Sequence, residues 1–279
     1  MKKFIWLASY PKSGNTMLRC FLSAYFFTND GNIKSFETIK HIINFQSLIL
    51  KLPNIPSYKE FEKDVSKVAP LWIEAQKHHL KKIDKAIFLK THNFMGLANN
   101  NIFTNDLFTK GFIYIVRDPR SVVISNMHHF EISMKESIKQ IFSEYRYSLG
   151  RGAPAPEIIS SWKSHYLSWK KFRSSVPHIL IKYEDIISEP NKEFKKILVF
   201  LQTIINFKID EKKYVNAVNS VNFNNLKKLE DKIGFEEKMG GTNFFRKGLQ
   251  NEWIEKMPKN SRMEIQKIFY NEMKELGYI

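Results

Sequence analysis

The chain has 279 residues, 43% of them hydrophobic and 14% aromatic, which excludes a disordered protein and suffices to bury a full core in one α/β domain spanning 1–279. Lysine and arginine number 44 against 28 aspartates and glutamates, a formal net charge of +16, so the expected ligand is an anion, a nucleic acid or an acidic membrane face. The single cysteine, Cys20, excludes an internal disulfide and reads as a buried core thiol, and no stretch approaches the ~20 apolar residues of a membrane span.

The first apolar run, Phe4–Ser9, follows Met1-Lys2-Lys3 but is shorter than the ~7–15 residues of a signal-peptide core, so a cytoplasmic protein is expected. It has the form of a strand buried on both faces, as do Ala86–Lys90, Gly111–Val116 and His178–Lys182. Between them Thr16–Phe27, Leu71–Lys82, Ser121–Phe130 and Ile158–Arg173 carry helical apolar spacing. Strand and helix alternate, which predicts βαβ crossovers around a mostly parallel sheet flanked by helices. Asn29–Pro70 reads as helix and loop with little strand character, and Gly150–Pro156 as a loop. Helices follow at Glu193–Gln202, Glu211–Val221 and near Ser261–Leu276, with a break at Gly240-Gly241-Thr242-Asn243.

Tyr10-Pro11-Lys12-Ser13-Gly14-Asn15-Thr16 stands where the first strand turns into the first helix. Unsatisfied N–H groups and the helix dipole make such a turn an anion site. Gly14 permits close backbone approach, Ser13, Asn15 and Thr16 add donors, and Lys12 adds charge. A plain helix N-cap by Ser13, Asn15 or Thr16 is the alternative reading. A Walker A loop is excluded, because its lysine follows the second of two spaced glycines and here Lys12 precedes a single one.

Phe88-Leu89-Lys90-Thr91-His92 ends the second apolar run, and the carboxyl edge of a parallel sheet is where open α/β folds bind ligands. His92 there suits general-base chemistry, its ordinary pKa being ~6.5, although a lone histidine is also compatible with a structural role. The third run delivers Arg117 in Val116-Arg117-Asp118-Pro119-Arg120, with Ser125 two turns into the following helix. Arg117 can grip a phosphate through two parallel hydrogen bonds, or pair with Asp118. The fourth run leads into Tyr183-Glu184-Asp185, and Phe245-Arg246-Lys247-Gly248-Leu249 forms a late basic segment with Trp253 beyond it. His128, His129 and His165 have no cysteine or acidic partner at ligand spacing, so no metal is expected. Trp162 and Trp169 read as core anchors.

These five segments, in this order, resemble the sulfotransferase family that uses 3'-phosphoadenosine 5'-phosphosulfate (PAPS). The resemblance runs from Tyr10 to Trp253 and implies a P-loop-like strand-loop-helix as the 5'-phosphosulfate site, with Lys12 on the bridging oxygen. It implies that His92 removes the acceptor's proton while Lys90 supports the transferring group. Arg117, Ser125, Arg246, Lys247 and Gly248 are implied to hold the 3'-phosphate, and Tyr183 the adenine. Met17 stands where the family often has a stacking tryptophan; its thioether can pack on a ring. PAPS, which leaves as PAP (3'-phosphoadenosine 5'-phosphate), carries roughly four negative charges, which gives the cations a ligand without metal or nucleic acid. The acceptor is a hydroxyl, or an amine, on a small molecule, glycan or lipid, shaped by the variable segments Asn29–Pro70 and Met134–Pro156. Neither its identity nor an oligomeric state is written in the motifs. A nucleotide or sugar kinase, or a non-enzymatic basic binder, is the alternative; the first lacks its Gly-Lys-Ser/Thr and magnesium carboxylates, and the second leaves Lys90-Thr91-His92 without a purpose.

Overall fold

Every residue of β1 (Phe4–Ser9) is buried, as a strand covered on both faces must be. The computed structural model describes residues 3–149, 155–241, 243–246, 248 and 250–279. After β1 come β2 (Ile43–Asn44), β3 (Ile87–Thr91), β4 (Leu97–Ala98), β5 (Asn101–Ile102), β6 (Thr109–Val116), β7 (Tyr147–Ser148), β8 (Glu157–Ile158) and β9 (His178–Lys182). The main sheet has the order β2-β3-β1-β6-β9 and is parallel throughout, while β4 pairs with β5 and β7 with β8, both antiparallel.

Alternate residues of the strands feed two apolar layers. Phe4, Trp6, Phe112 and Tyr114 pack with Trp72 of the helix Ala69–Leu80 and with Trp162 and Trp169 of the helix Trp162–Phe172. Ile5, Leu7, Ile113 and Ile115 pack on the other face with Leu18 and Phe21 of the helix Asn15–Phe27 and Phe194 and Ile197 of the helix Pro190–Ile204. Cys20 lies fully buried in this second layer.

The register places the site. Ala8 lies opposite Thr91, Ser9 opposite Ile115, and Val116 opposite Lys182. The next residues along these four adjacent strands are Tyr10, His92, Arg117 and Tyr183, so all four emerge at one sheet edge.

Several boundaries differ from the sequence expectation. The helix expected from Ile158 starts at Trp162: Glu157 and Ile158 form β8, Ile159 and Ser160 donate their N–H groups to the Arg146 carbonyl, and Ser161 then caps the helix. Within Asn29–Pro70 two residues extend the sheet as β2. The last helix is two, Lys259–Ile268 and Tyr270–Glu275, divided at Phe269, which leaves helical geometry. The amphipathic helices Met134–Phe142 and Phe223–Ile233, capped by Ser133 and Asn222, lie outside the expected ones. The expected loop at 150–156 lies outside the described residues apart from Ala155 and Pro156.

Trp169 is fully buried, 5.1 Å from the Phe112 ring, and donates its indole N–H to the Asn93 carbonyl at 3.0 Å. Trp169→Ala is expected to cost about 3–5 kcal/mol, read as a lower urea midpoint at unchanged slope.

Candidate active site

The turn after β1 is held by Asn15, whose Nδ2 donates to the Leu7 carbonyl at 3.0 Å and to Ser9 Oγ at 3.2 Å. Lys12 and Gly14 both adopt positive φ, 66° and 99°. A Cβ on Gly14 would stand 2.6 Å from Cδ2 of Tyr183, so glycine is required both by conformation and by the ring laid against it. The Arg117 guanidinium lies 4.2 Å from the Tyr183 ring centroid, and its Nη1 donates to the Lys12 carbonyl at 3.0 Å. Asp118 does not pair with Arg117; it forms its ion pair with Arg120 at 2.6 Å and caps the following helix.

Loop, ring and arginine thus form one wall of a cavity of about 830 Å³. Lys12, Gly14, Asn15, Thr16 and Met17 line it, as do Lys90, His92, Arg117, Ser125 and Tyr183, and Arg246 and Gly248 complete the set. Ser13 is fully buried and not part of this lining, with an Oγ that has no partner among the described residues. Lys247 lies outside the described residues.

His92 is fixed from three directions. Its Nδ1 lies 2.7 Å from the Ser9 carbonyl, which can only accept, so Nδ1 carries the proton. Its backbone N–H donates to Glu157 Oε1 at 2.6 Å, and its carbonyl accepts from Nε2 of His165 at 3.2 Å. His165 in turn accepts the Tyr114 hydroxyl at Nδ1, 2.8 Å away. Nε2 of His92 makes no hydrogen bond among the described residues, and the ring lines the cavity. Burial, then the Lys90 charge, holds the His92 pKa well below that of an ordinary imidazole; burial brings His165 down to about 3. Both are therefore neutral at pH 7.

The cations are arranged around that ring. Lys90 Nζ lies 3.4 Å from Glu157 Oε2, the other oxygen of the carboxylate that holds the His92 amide. Lys12 Nζ sits 4.2 Å from the Phe244 ring centroid, and burial together with Arg117 lowers its pKa to about 7 against the opposing pull of Glu237 and Glu230. Thr16 donates to Glu237 at 2.9 Å, and Arg19 pairs with the same carboxylate. Arg246 pairs with Glu252; burial alone would raise the Glu252 pKa, but hydrogen bonds from Arg246 and Lys256 bring it down to about 2. Glu157, Glu237 and His165 were not singled out in the sequence as parts of the site, since no motif spacing marks them. Among the described residues no group of three or more His, Cys, Asp and Glu is placed to hold a metal, and no helix is long and apolar enough to cross a membrane.

The family model described as the sulfotransferase domain matches residues 2–277. The chain belongs to the sulfotransferase family. That membership carries the reaction class, PAPS-dependent sulfuryl transfer. Sulfotransferase 1B1 of Mus musculus is 25% identical over 89% of this sulfotransferase and 75% of the mouse chain. Luciferin sulfotransferase of Photinus pyralis is 22% identical over 80% of this chain and 56% of its own. Among solved structures, mouse sulfotransferase SULT7A1 complexed with PAP superposes with a TM-score of 0.61 at 20% identity, covering 98% of this chain and 84% of that one. Retinol dehydratase in a complex with retinol and PAP gives a TM-score of 0.65 at 20% identity over 98% and 82%. These likenesses establish a shared fold.

Gly14→Ala is expected to destabilise the protein by about 1–3 kcal/mol, through the strained φ and the clash with Tyr183, measured by urea unfolding. The two histidines also set a pH dependence. Unfolded, each takes up a proton near pH 6.5; folded, each resists. The unfolded state therefore binds more protons below that value, and stability is lost as pH falls from 7 toward 5, with a slope approaching ~1.4 kcal/mol per pH unit for each group. Unfolding curves at pH 7.5, 6 and 5 check this.

Proposed function

We propose that this cavity binds PAPS and that His92 acts as general base toward the hydroxyl of a small-molecule acceptor. The observation that supports the reading best is the register, which brings the Lys12–Thr16 turn, His92, Arg117 and Tyr183 from four adjacent strand ends to one cavity. The residues fit such a donor. The turn around Gly14 is a cradle that a Cβ would fill, and Arg117 has a buried Nε with no protein partner and no ion pair among the described residues. Arg117 and Ser125, with Arg246 and Lys247, take the 3'-phosphate in this reading; the Lys12–Thr16 turn takes the 5' end, and Met17 and Tyr183 flank the adenine. PAP in the retinol dehydratase and SULT7A1 complexes accords with this assignment.

PAPS supplies the sulfuryl group. His92, neutral and with its proton held on Nδ1 by Ser9, offers the Nε2 lone pair to the acceptor O–H. Lys12 and Lys90 offset the negative charge that develops on the oxygen from which sulfur departs. His165 and Glu157 hold the His92 backbone and so fix where Nε2 points. The lone buried Cys20 accords with a cytoplasmic location, which belongs to the same proposal.

Thermal stability with PAP, against AMP as control, tests the donor site: a ligand at 100 times its dissociation constant adds ~2.7 kcal/mol. A shift with PAP and little with AMP is expected, and Arg117→Ala removes most of it. His92→Ala leaves the PAP shift intact while turnover falls about 10²–10⁴-fold; wild-type turnover in that variant would refute the general base. Because the Lys12 pKa is near 7, an arriving phosphate restores its proton, so calorimetry at pH 7 in buffers of different ionisation enthalpy is expected to show uptake of about half a proton, lost in Lys12→Met.

A further inference from the structure

Arg146 belongs to none of the motifs, yet its side chain lines the active-site cavity and is 9% exposed. It stands just before β7, whose partner β8 carries Glu157, the residue that holds His92. Its Nη1 donates to the Tyr10 hydroxyl at 2.6 Å, and its guanidinium lies 5.0 Å from the Tyr10 ring centroid. Tyr10 in turn packs edge-on against His165, the ring that supports the His92 carbonyl.

What this arginine lacks is a carboxylate. The acids around it are engaged elsewhere: Glu144 accepts from the hydroxyls of Ser160, Ser161 and Ser164, and Glu157 serves Lys90 and the His92 amide. No ion pair is formed by Arg146 among the described residues. A largely buried guanidinium without a counter-charge is poorly compensated, so the site favours an oxyanion that can reach it through the cavity.

A second group lining the cavity lacks a partner. Asn44 of β2 lies opposite Lys90 in the sheet, and the next N–H, of Phe45, donates to the Lys90 carbonyl at 3.0 Å. Gln46 follows, lines the cavity, is 5% exposed, and leaves its amide oxygen buried with no donor. An unpaired buried carbonyl is unfavourable, and a hydroxyl hydrogen would satisfy it.

We propose, on the reading of the cavity as a PAPS site, that the acceptor is a hydroxylated anion, its carboxylate, phosphate or sulfate bound by Arg146 and a hydroxyl hydrogen-bonded by Gln46. The fork of Arg146 fixes one end of the acceptor, and the reacting hydroxyl is presented to Nε2 of His92. Specificity then rests on residues of the two variable segments rather than on the donor-binding motifs.

The test is PAPS-dependent transfer to two matched pairs, 4-hydroxybenzoate with its methyl ester and glucuronate with its methyl ester. In at least one pair the charged member is expected to show kcat/KM about 10-fold or more above the ester, as a charge-assisted hydrogen bond implies. Arg146→Gln should remove that preference, read as the ratio of the two kcat/KM values, while leaving the KM for PAPS and the PAP thermal shift unchanged. Arg146→Lys, which keeps the charge without the fork, should restore part of it and covers the case in which the glutamine variant fails to fold. Equal use of both members, preference for the esters, or use of neither overturns the proposal. So does a raised KM for PAPS in Arg146→Gln, which would assign the arginine to the donor. Absence of a PAP shift in the wild type would instead refute the donor reading on which the proposal rests.

Discussion

The hydrogen bond from His92 Nδ1 to the Ser9 carbonyl joins the two strand ends on which the rest of the site is built. Ser9 is the last residue of β1, and its hydroxyl also receives the Asn15 amide, so one residue anchors both the phosphate-type turn and the candidate base. The tautomer of His92 follows from that geometry rather than from any acidic partner. A carboxylate at Nδ1 would have made the imidazole more basic; a neutral carbonyl fixes the ring while burial keeps it unprotonated. The cost is a polar cluster held inside the fold, met by giving nearly every member a partner: Glu157 on the His92 amide, His165 on its carbonyl, Tyr114 on His165.

Charge is managed by the same means. The cavity gathers Lys12, Lys90, Arg117, Arg146 and Arg246 within one volume, an arrangement that repels itself unless neutralised. Glu157 answers Lys90 and Glu252 answers Arg246, while Arg117 and Arg146 rest on tyrosine rings and have no ion pair among the described residues. Lys12, its pKa lowered to about 7 by burial first and by the Arg117 charge second, carries part of that imbalance. An anionic ligand relieves it, and this links the basic composition of the chain to a specific place in the fold instead of a diffuse surface.

The parts legible in the sequence are those with contiguous causes. Strands buried on both faces must be apolar runs, and β1 and β9 are found with the expected boundaries. The residues just past those runs fall at the sheet edge because parallel register leaves no other place for them. Ser13, expected as a donor to the anion, is fully buried and outside the residues that line the cavity. Glu157, Glu237 and Arg146 were illegible as site residues because each reaches the site from a segment whose local pattern says nothing of what it faces. The start of the helix at Trp162 was hidden for a related reason, since the strand pairing of Glu157 and Ile158 with β7 depends on a contact distant from the helix that follows.

The most direct test is the protonation state of the His92 ring in the PAP-bound enzyme at neutral pH, read from the imidazole nitrogen chemical shifts of 15N-histidine-labelled protein, with His92→Gln for assignment. The account predicts a neutral ring with a protonated, pyrrole-type Nδ1 and a bare, pyridine-type Nε2. A ring protonated at Nε2, alone or together with Nδ1, would contradict it, because the lone pair required to take the acceptor's proton would not be there.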